Sequence, residues 1–365
     1  MPPSNGCALT LGSERREAVS GCPGFYVRIN DDLRKAVVFF GHRDDSPGKG
    51  GIRCIGTGFL VAYEEFGYLV TAKHLAQGLG SDPFLLRINK KDGTSENLMP
   101  DGAEWAEHPD PSVDVAAIPF NIPASSLYEA TYLPHTMMLT EERSDDIGIG
   151  DTTYTIGLFH FMSGERRNLP IVHQGAISLM PGDETIPMRG RDGVLRVRGY
   201  LIETQGMPGL SGSPVFVRPT VAVSRLSNFI PDPRYPMMAA MMAYAPRGDV
   251  RLLGLWQGSW DAPPDQVMAI QSGQSVRVPV GMGIVVPAQR IEETLQIPGL
   301  QEMRERIRKK RQEESAAPLD SIPIASPVAS SSKEGGPVSD DAEPNRRERF
   351  TAPLNAAVRK PGSKD

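Results

Sequence analysis

The feature that most constrains this chain is a succession of short apolar runs broken by glycine, proline and aspartate. Ala36-Val37-Val38-Phe39-Phe40, Gly58-Phe59-Leu60-Val61 and Tyr68-Leu69-Val70 come first, with turn residues such as Asp44, Asp45, Pro47, Gly48 and Gly50 between them. Similar runs cover residues 84–88, 113–120, 152–157, 171–178, 195–203, 213–217, 251–257 and 281–286. Runs this short predict antiparallel strands. So many of them, with few helical periods between, predict an all-β barrel or sandwich. The first clear helix is expected late, after Pro287, where Ile291 and Leu295 recur one helical turn apart on a polar background.

The rest of the chain is read around that β region. Residues 1–33 are polar and spotted with glycine and proline, as a surface arm would be. Residues 299–314 are charged, with Leu300, Met303 and Ile307 at helical spacing, and are read as a solvated terminal helix. Residues 315–365 carry Ser, Pro, Ala and charge with one aromatic residue, Phe350. They cannot bury enough surface to offset their ordering entropy, so a disordered tail is predicted. Residues 219–250 form a proline-marked stretch with Met237, Met238, Met241 and Met242, which either shapes a cleft or is an inert insertion.

Charge and cysteine usage exclude several classes. A formal net charge of -5 provides no basic field to gather nucleic acid or anionic lipid, so neither partner is expected. Cys7, Cys22 and Cys54 are odd in number and widely spaced, which suits free thiols in a reducing compartment rather than a disulfide framework or a metal site. No apolar run beside Arg15 and Arg16 resembles a signal-peptide core, and none elsewhere is long enough to span a membrane, so a cytoplasmic location is expected. No metal or organic cofactor is called for, and the oligomeric state is left open.

Three segments carry chemistry. In Gly206-Met207-Pro208-Gly209-Leu210-Ser211-Gly212-Ser213-Pro214, glycines flank one serine ahead of a β-run. Such a turn can expose the Ser211 hydroxyl and aim the amides of Gly209 and Ser211 at a developing oxyanion. His74 ends the run Tyr68-Leu69-Val70-Thr71-Ala72-Lys73-His74, which follows Gly56-Thr57-Gly58, so a strand would anchor it in the core while it faces a cleft. Asp114 heads the apolar run Val115-Ala116-Ala117-Ile118, where a carboxylate is costly to bury without a hydrogen-bond partner; a histidine Nδ1 proton suits it. Asp110, between Pro109 and Pro111, is the rival acid and reads as loop. The other histidines, His42, His108, His135, His160 and His173, have no comparable setting and are read as structural or exposed.

Thr71-Ala72-Lys73-His74, Asp114-Val115-Ala116 and Gly209-Leu210-Ser211-Gly212-Ser213-Pro214 together resemble the three signature blocks of trypsin/chymotrypsin-like serine peptidases, in that family's order. The resemblance spans roughly residues 34 to 297. It implies two six-stranded antiparallel β-barrels, the first over about 34–140 and the second over about 150–286, closed by a C-terminal helix at 287–297. It also implies a polypeptide substrate and an acyl-enzyme mechanism, with Ser211 as nucleophile, His74 as general base and Asp114 orienting it. Leu253-Gly254-Leu255-Trp256-Gln257-Gly258 resembles the strand that pairs with substrate backbone, which nominates Leu255, Trp256 and Gln257. Gln205, six positions before the serine, falls at the base of the pocket for the residue preceding the cut, implying a neutral, small or apolar preference. Leu75 replaces the disulfide cysteine of secreted animal relatives and Ser213 the commoner glycine, which is similar to a bacterial intracellular type without a PDZ domain. Two other expectations stay open: an idle scaffold on the same fold, and a protease that processes only itself.

Overall fold

The computed structural model describes residues 29–46, 51–80, 83–100, 104–122, 127–140, 147–182, 184–190, 193–219, 250–262 and 278–316. Nearly all of the expected tail and of the N-terminal arm, most of the 219–250 stretch, Cys7 and Cys22 lie outside them. The chain divides into Met1–Asn30 and Asp31–Asp365, and everything below concerns the second unit. No helix among the described residues is long and apolar enough to cross a membrane.

The first half forms one eight-stranded sheet. A short helix α1 (Asp31–Lys35) leads into β1 (Val37–Asp44), followed by β2 (Gly51–Tyr63) and β3 (Phe66–Thr71). After the short helix α2 (Lys73–Leu79) come β4 (Leu85–Asn89), β5 (Ser95–Leu98), β6 (Ala106–Glu107), β7 (Ala116–Pro119) and β8 (Leu133–Pro134). The order is β5-β4-β1-β2-β3-β7-β6, with β8 added parallel to β2. Among the described residues no ladder joins β5 to β6, so this half is an open sheet where six strands in a closed barrel were expected. Its core gathers Val38, Phe40, Leu60, Leu69, Leu86 and Ile118.

The second half closes. β9 (Thr152–Gly157), β10 (Ile171–Leu179), β13 (Tyr200–Glu203), β14 (Pro214–Arg218), β15 (Arg251–Ala262) and β16 (Val278–Pro287) make a six-stranded antiparallel barrel in the order β10-β13-β16-β15-β14-β9. A separate hairpin, β11 (Ile186–Gly190) with β12 (Gly193–Val197), packs Ile186 and Val197 against Ile284 of β16. Ile177, Ile202, Leu210, Val215, Trp256 and Val285 fill the interior. The Trp256 ring occupies the space a side chain at position 283 would take, since a Cβ on Gly283 would fall 2.0 Å from it.

Two helices end the described chain, α3 (Ala288–Leu295) and α4 (Pro298–Ala316). The second is docked on the protein, not freely solvated as its charge suggested: Leu300, Met303 and Arg304 are all buried. Arg304 donates to the Tyr68 hydroxyl at 2.9 Å and to the Leu295 carbonyl at 2.7 Å, and Arg308 pairs with Glu64 and Glu65 in the β2–β3 turn. The arginines also lie over aromatic rings, Arg304 over Tyr63 and Arg311 over Phe66.

Candidate active site

His74 sits in the first turn of α2, just past the end of β3, whose six residues are all buried. The strand is held by the core and its last residues emerge from it. Antiparallel pairing of β3 with β7 sets Thr71 opposite Ala116, so the residue ahead of one strand and the residue after the other meet at the same end of the ladder. Asp114, 5% exposed, lies there. Its carboxylate accepts the His74 backbone N–H at 2.8 Å through Oδ1 and faces His74 Nδ1 at 2.7 Å through Oδ2. A buried carboxylate accepts hydrogen bonds and has none to give while ionised. Nδ1 therefore carries the ring proton, and Nε2 is left as an acceptor on a side chain that is 48% exposed.

Ser211 arrives from the barrel. Leu210 before it is part of the barrel core, and Gly212 after it has φ of +81°, where a Cβ would fall 2.1 Å from the Thr57 carbonyl oxygen and 2.3 Å from Thr71 Oγ1. Only glycine fits that approach. The same close packing brings Gly212 against Ala72, two residues before His74, so serine and histidine stand on neighbouring backbone segments. The Ser211 hydroxyl donates to the Gln257 carbonyl at 3.4 Å, a long bond. Among the described residues no hydrogen bond joins Ser211 to His74.

The turn before Ser211 is fixed by a residue given no role on sequence grounds. Thr57, fully buried in β2, donates its hydroxyl to the Gly209 carbonyl at 2.7 Å and accepts the Leu158 N–H at 2.9 Å. Its own N–H reaches the Ser211 carbonyl at 3.2 Å, and its carbonyl accepts the Thr71 hydroxyl at 2.8 Å. With the Gly209 carbonyl drawn to Thr57 and φ of +102° at Gly209, the amides of Gly209 and Ser211 have no partner among the described residues. Two free donors in one turn beside a hydroxyl can hold an oxyanion. The signal available was Gly56-Thr57-Gly58, a polar residue between two glycines in an apolar strand.

The remaining nominated residues separate. Gln205 is exposed and, with His173, Gln174, Glu203, Thr204 and Met282, lines a cleft of about 810 Å³. Glu203 is an acid in that cleft which sequence spacing did not reveal. Leu255 and Trp256 are buried at 0% and 1% exposure instead of lining a cleft, with Trp256 in the barrel core. Their backbones are also engaged: Leu255 pairs with Pro214, the Trp256 N–H donates to the Ser213 carbonyl, and the Trp256 carbonyl accepts the Gly212 N–H. Of the three, Gln257 alone touches the site, through its carbonyl.

Asp110, the rival acid, closes its own turn by accepting the Ser112 N–H and hydroxyl at 2.8 and 2.7 Å, and these bonds hold its carboxyl below the usual range. His108, read as structural or exposed, is buried, with both ring nitrogens bonded. Cys54 is a buried free thiol whose pKa burial raises, against the lowering effect of Arg87.

No family model matches the chain, and no curated protein matches it in sequence. Solved structures do align. The active form of the Rv3671c protease from M. tuberculosis does so with a TM-score of 0.39 and 16% identity, covering 72% of this chain and 80% of that one. An inactive form of Rv3671c aligns with a TM-score of 0.37 and 16% identity over 72% and 88% of the two chains. At such low TM-scores these likenesses decide nothing about the site.

Proposed function

We propose that the chain is a serine endopeptidase that cleaves polypeptides through an acyl-enzyme, with Ser211, His74 and Asp114 as its catalytic triad. The observation that supports this most is the pair of hydrogen bonds that the buried Asp114 carboxylate accepts from the backbone and the ring of His74. A carboxylate merely capping a turn has no reason to fix a histidine tautomer as well.

His74 Nε2 takes the hydroxyl proton as Ser211 Oγ bonds to the scissile carbonyl carbon, and the carbonyl electron pair moves onto oxygen between the amides of Gly209 and Ser211. Collapse of that adduct breaks the C–N bond, and the proton on Nε2 passes to the leaving amine. Water, deprotonated by the same nitrogen, then adds to the acyl carbon; the ester C–O bond breaks, Ser211 Oγ takes the proton back from Nε2, and the acyl group leaves as a carboxylic acid. Asp114 keeps its charge throughout and offsets that of the imidazolium.

The side chain before the cut is assigned to the cleft holding Gln205. Because Glu203 contributes a carboxylate there, the neutral preference expected from position 205 alone is open to test. A peptide-library profile of the parent against Glu203→Gln reads it directly. A fluorophosphonate probe tests the enzyme reading itself. Labelling that disappears in Ser211→Ala is expected, whereas an unlabelled, folded parent chain overturns it.

A second reading, a catalytically idle scaffold on the same fold, draws support from the Ser211 hydroxyl resting on the Gln257 carbonyl rather than on His74. The same probe separates the two. A protease that cleaves only itself is read from intact mass, since shortening should vanish in Ser211→Ala.

A further inference from the structure

We infer that His108 is a positioning residue for the same site: held by Glu293 of α3, it fixes the turn that carries Asp114 and, through Asp114, the orientation of His74. Its activity readout rests on the peptidase reading above; its structural readout does not.

The turn from Asp110 to Asp114 is fastened at three points. Within it, the Val113 N–H donates to the Asp110 carbonyl at 3.1 Å, and Ser112 closes on the Asp110 carboxylate. On one side, Lys73, the neighbour of His74 and itself 9% exposed, places its Nζ 3.2 Å from the Asp110 carbonyl and 3.5 Å from that of Pro111. On the other side stands His108, whose Nδ1 accepts the Asp110 N–H at 3.1 Å. The His108 backbone N–H donates to the Val115 carbonyl at 3.1 Å, so His108 is paired with the residue that directly follows Asp114.

The ring's two partners demand opposite roles. An Nδ1 that accepts a backbone N–H has no proton, so Nε2 carries it and donates to Glu293 Oε2 at 3.0 Å. Glu293 is fixed in turn by Arg290, at 2.7 Å, and Gln289, at 3.2 Å, on its own helix. The His108 side chain is 5% exposed. A polar ring is costly to bury there unless both nitrogens are satisfied, and an aliphatic residue would fill the volume without that demand. A neutral imidazole puts an acceptor and a donor on opposite edges of one rigid plane. Asp110 and the helix are therefore coupled through His108, and the carboxylate of Asp114 leaves the coupled turn only four residues further on.

Two amide replacements split the ring into its halves. In His108→Asn the side-chain oxygen reproduces the Nδ1 acceptor, and in His108→Gln the longer amide reproduces the Nε2 donor but abandons Asp110. We expect His108→Gln to lower kcat roughly 10- to 100-fold, as small misplacements of catalytic groups do, with KM within about twofold. Rates are taken per site titrated with the fluorophosphonate. His108→Asn should recover most of the loss. In the full chain labelled with 15N-histidine, the downfield Nδ1–H signal of His74, assigned by its loss in His74→Ala, should broaden or move in His108→Gln and hold in His108→Asn.

An unchanged kcat per titrated site together with an unchanged His74 signal in His108→Gln overturns the inference. So do equal effects from the two replacements, which is the outcome a purely space-filling role gives. If the parent takes no probe, the peptidase reading fails while the His74 signal still decides this one. Should His108→Gln fail to fold, Glu293→Leu releases the ring from its other side and carries the same readouts.

Discussion

The base side and the nucleophile side of the site are built differently. His74 meets Asp114 through two short hydrogen bonds at 2.8 and 2.7 Å, while the Ser211 hydroxyl has one bond at 3.4 Å, to the Gln257 carbonyl and not to His74. Burial accounts for the contrast. A carboxylate that is 5% exposed must be fully bonded to be tolerated, so its partners are fixed whenever the chain is folded. A half-buried hydroxyl needs only a rotation about one bond to change acceptor, and it takes whichever oxygen is near. On the proposed peptidase reading, the imidazole is oriented before substrate arrives and the hydroxyl would be committed only when a substrate carbonyl displaces it from Gln257, in keeping with the looser catalytic contacts of unliganded sites.

The largest expected effects test whether the two sides act as one unit. Ser211→Ala and His74→Ala should each lower kcat by a factor on the order of 10⁶ on a peptide substrate, and the double variant should be scarcely worse. Losses that add in the double variant would mean the hydroxyl and imidazole never share a proton. Asp114→Asn comes next, at about 10⁴-fold. Its oxygen can still accept the His74 N–H, but its amide faces Nδ1 with a proton and forces the wrong tautomer. A milder loss would show that the base side is less fixed than its geometry.

Thr57→Val probes the nucleophile side with little change of shape. It strips the Gly209 carbonyl and the Leu158 N–H of their shared partner in a fully buried setting. Unfolding free energy should drop by about 1–3 kcal/mol. The oxyanion turn should loosen enough to lower kcat by less than about 10²-fold, short of deleting a donor outright. If kcat per titrated site stays at the parent value, the turn is held by the chain around it and Thr57 serves stability alone.

What the sequence disclosed follows the same division between local and distant causes. β9 was legible to the residue, because Thr152-Thr153-Tyr154-Thr155-Ile156-Gly157 is bounded by turn residues and rich in β-branched side chains. Residues 195–203 read as one strand but are two, since Gly199 lies so close to Val285 that a Cβ would fall 2.5 Å from its carbonyl oxygen. β5, Ser95-Glu96-Asn97-Leu98, has no alternation to betray it. Leu255 and Trp256 could not be distinguished from cleft residues because β15 is apolar on both faces through that stretch. The basic face of α4 read as solvated; its partners, Glu64, Glu65, Phe66 and Tyr68, lie more than two hundred positions away in the chain. His108 was opaque for the same reason, its acceptor on Glu293 being 185 residues distant.

The smallest expected effect bears on how the base side is anchored rather than on the reaction. Burial disfavours the Glu293 carboxylate, but the hydrogen bonds from His108 and Arg290 outweigh it and hold the pKa below the ordinary 4.5. A carboxyl with a depressed folded-state pKa adds stability that is fully present above the unfolded value and is lost as pH falls through the folded one. The parent should therefore exceed Glu293→Gln in thermal midpoint at neutral pH. The gap should begin to shrink as pH falls below about 4.5 and close only once pH has passed through the lower folded-state value, where the parent's carboxyl becomes neutral like the amide. Because the Glu293 side chain is 34% exposed, solvent screening limits the difference to under about 1 kcal/mol. A gap that stays constant from pH 7 to pH 3 would mean the amide fails through shape instead of charge, and that the His108–Glu293 link draws nothing from ionisation.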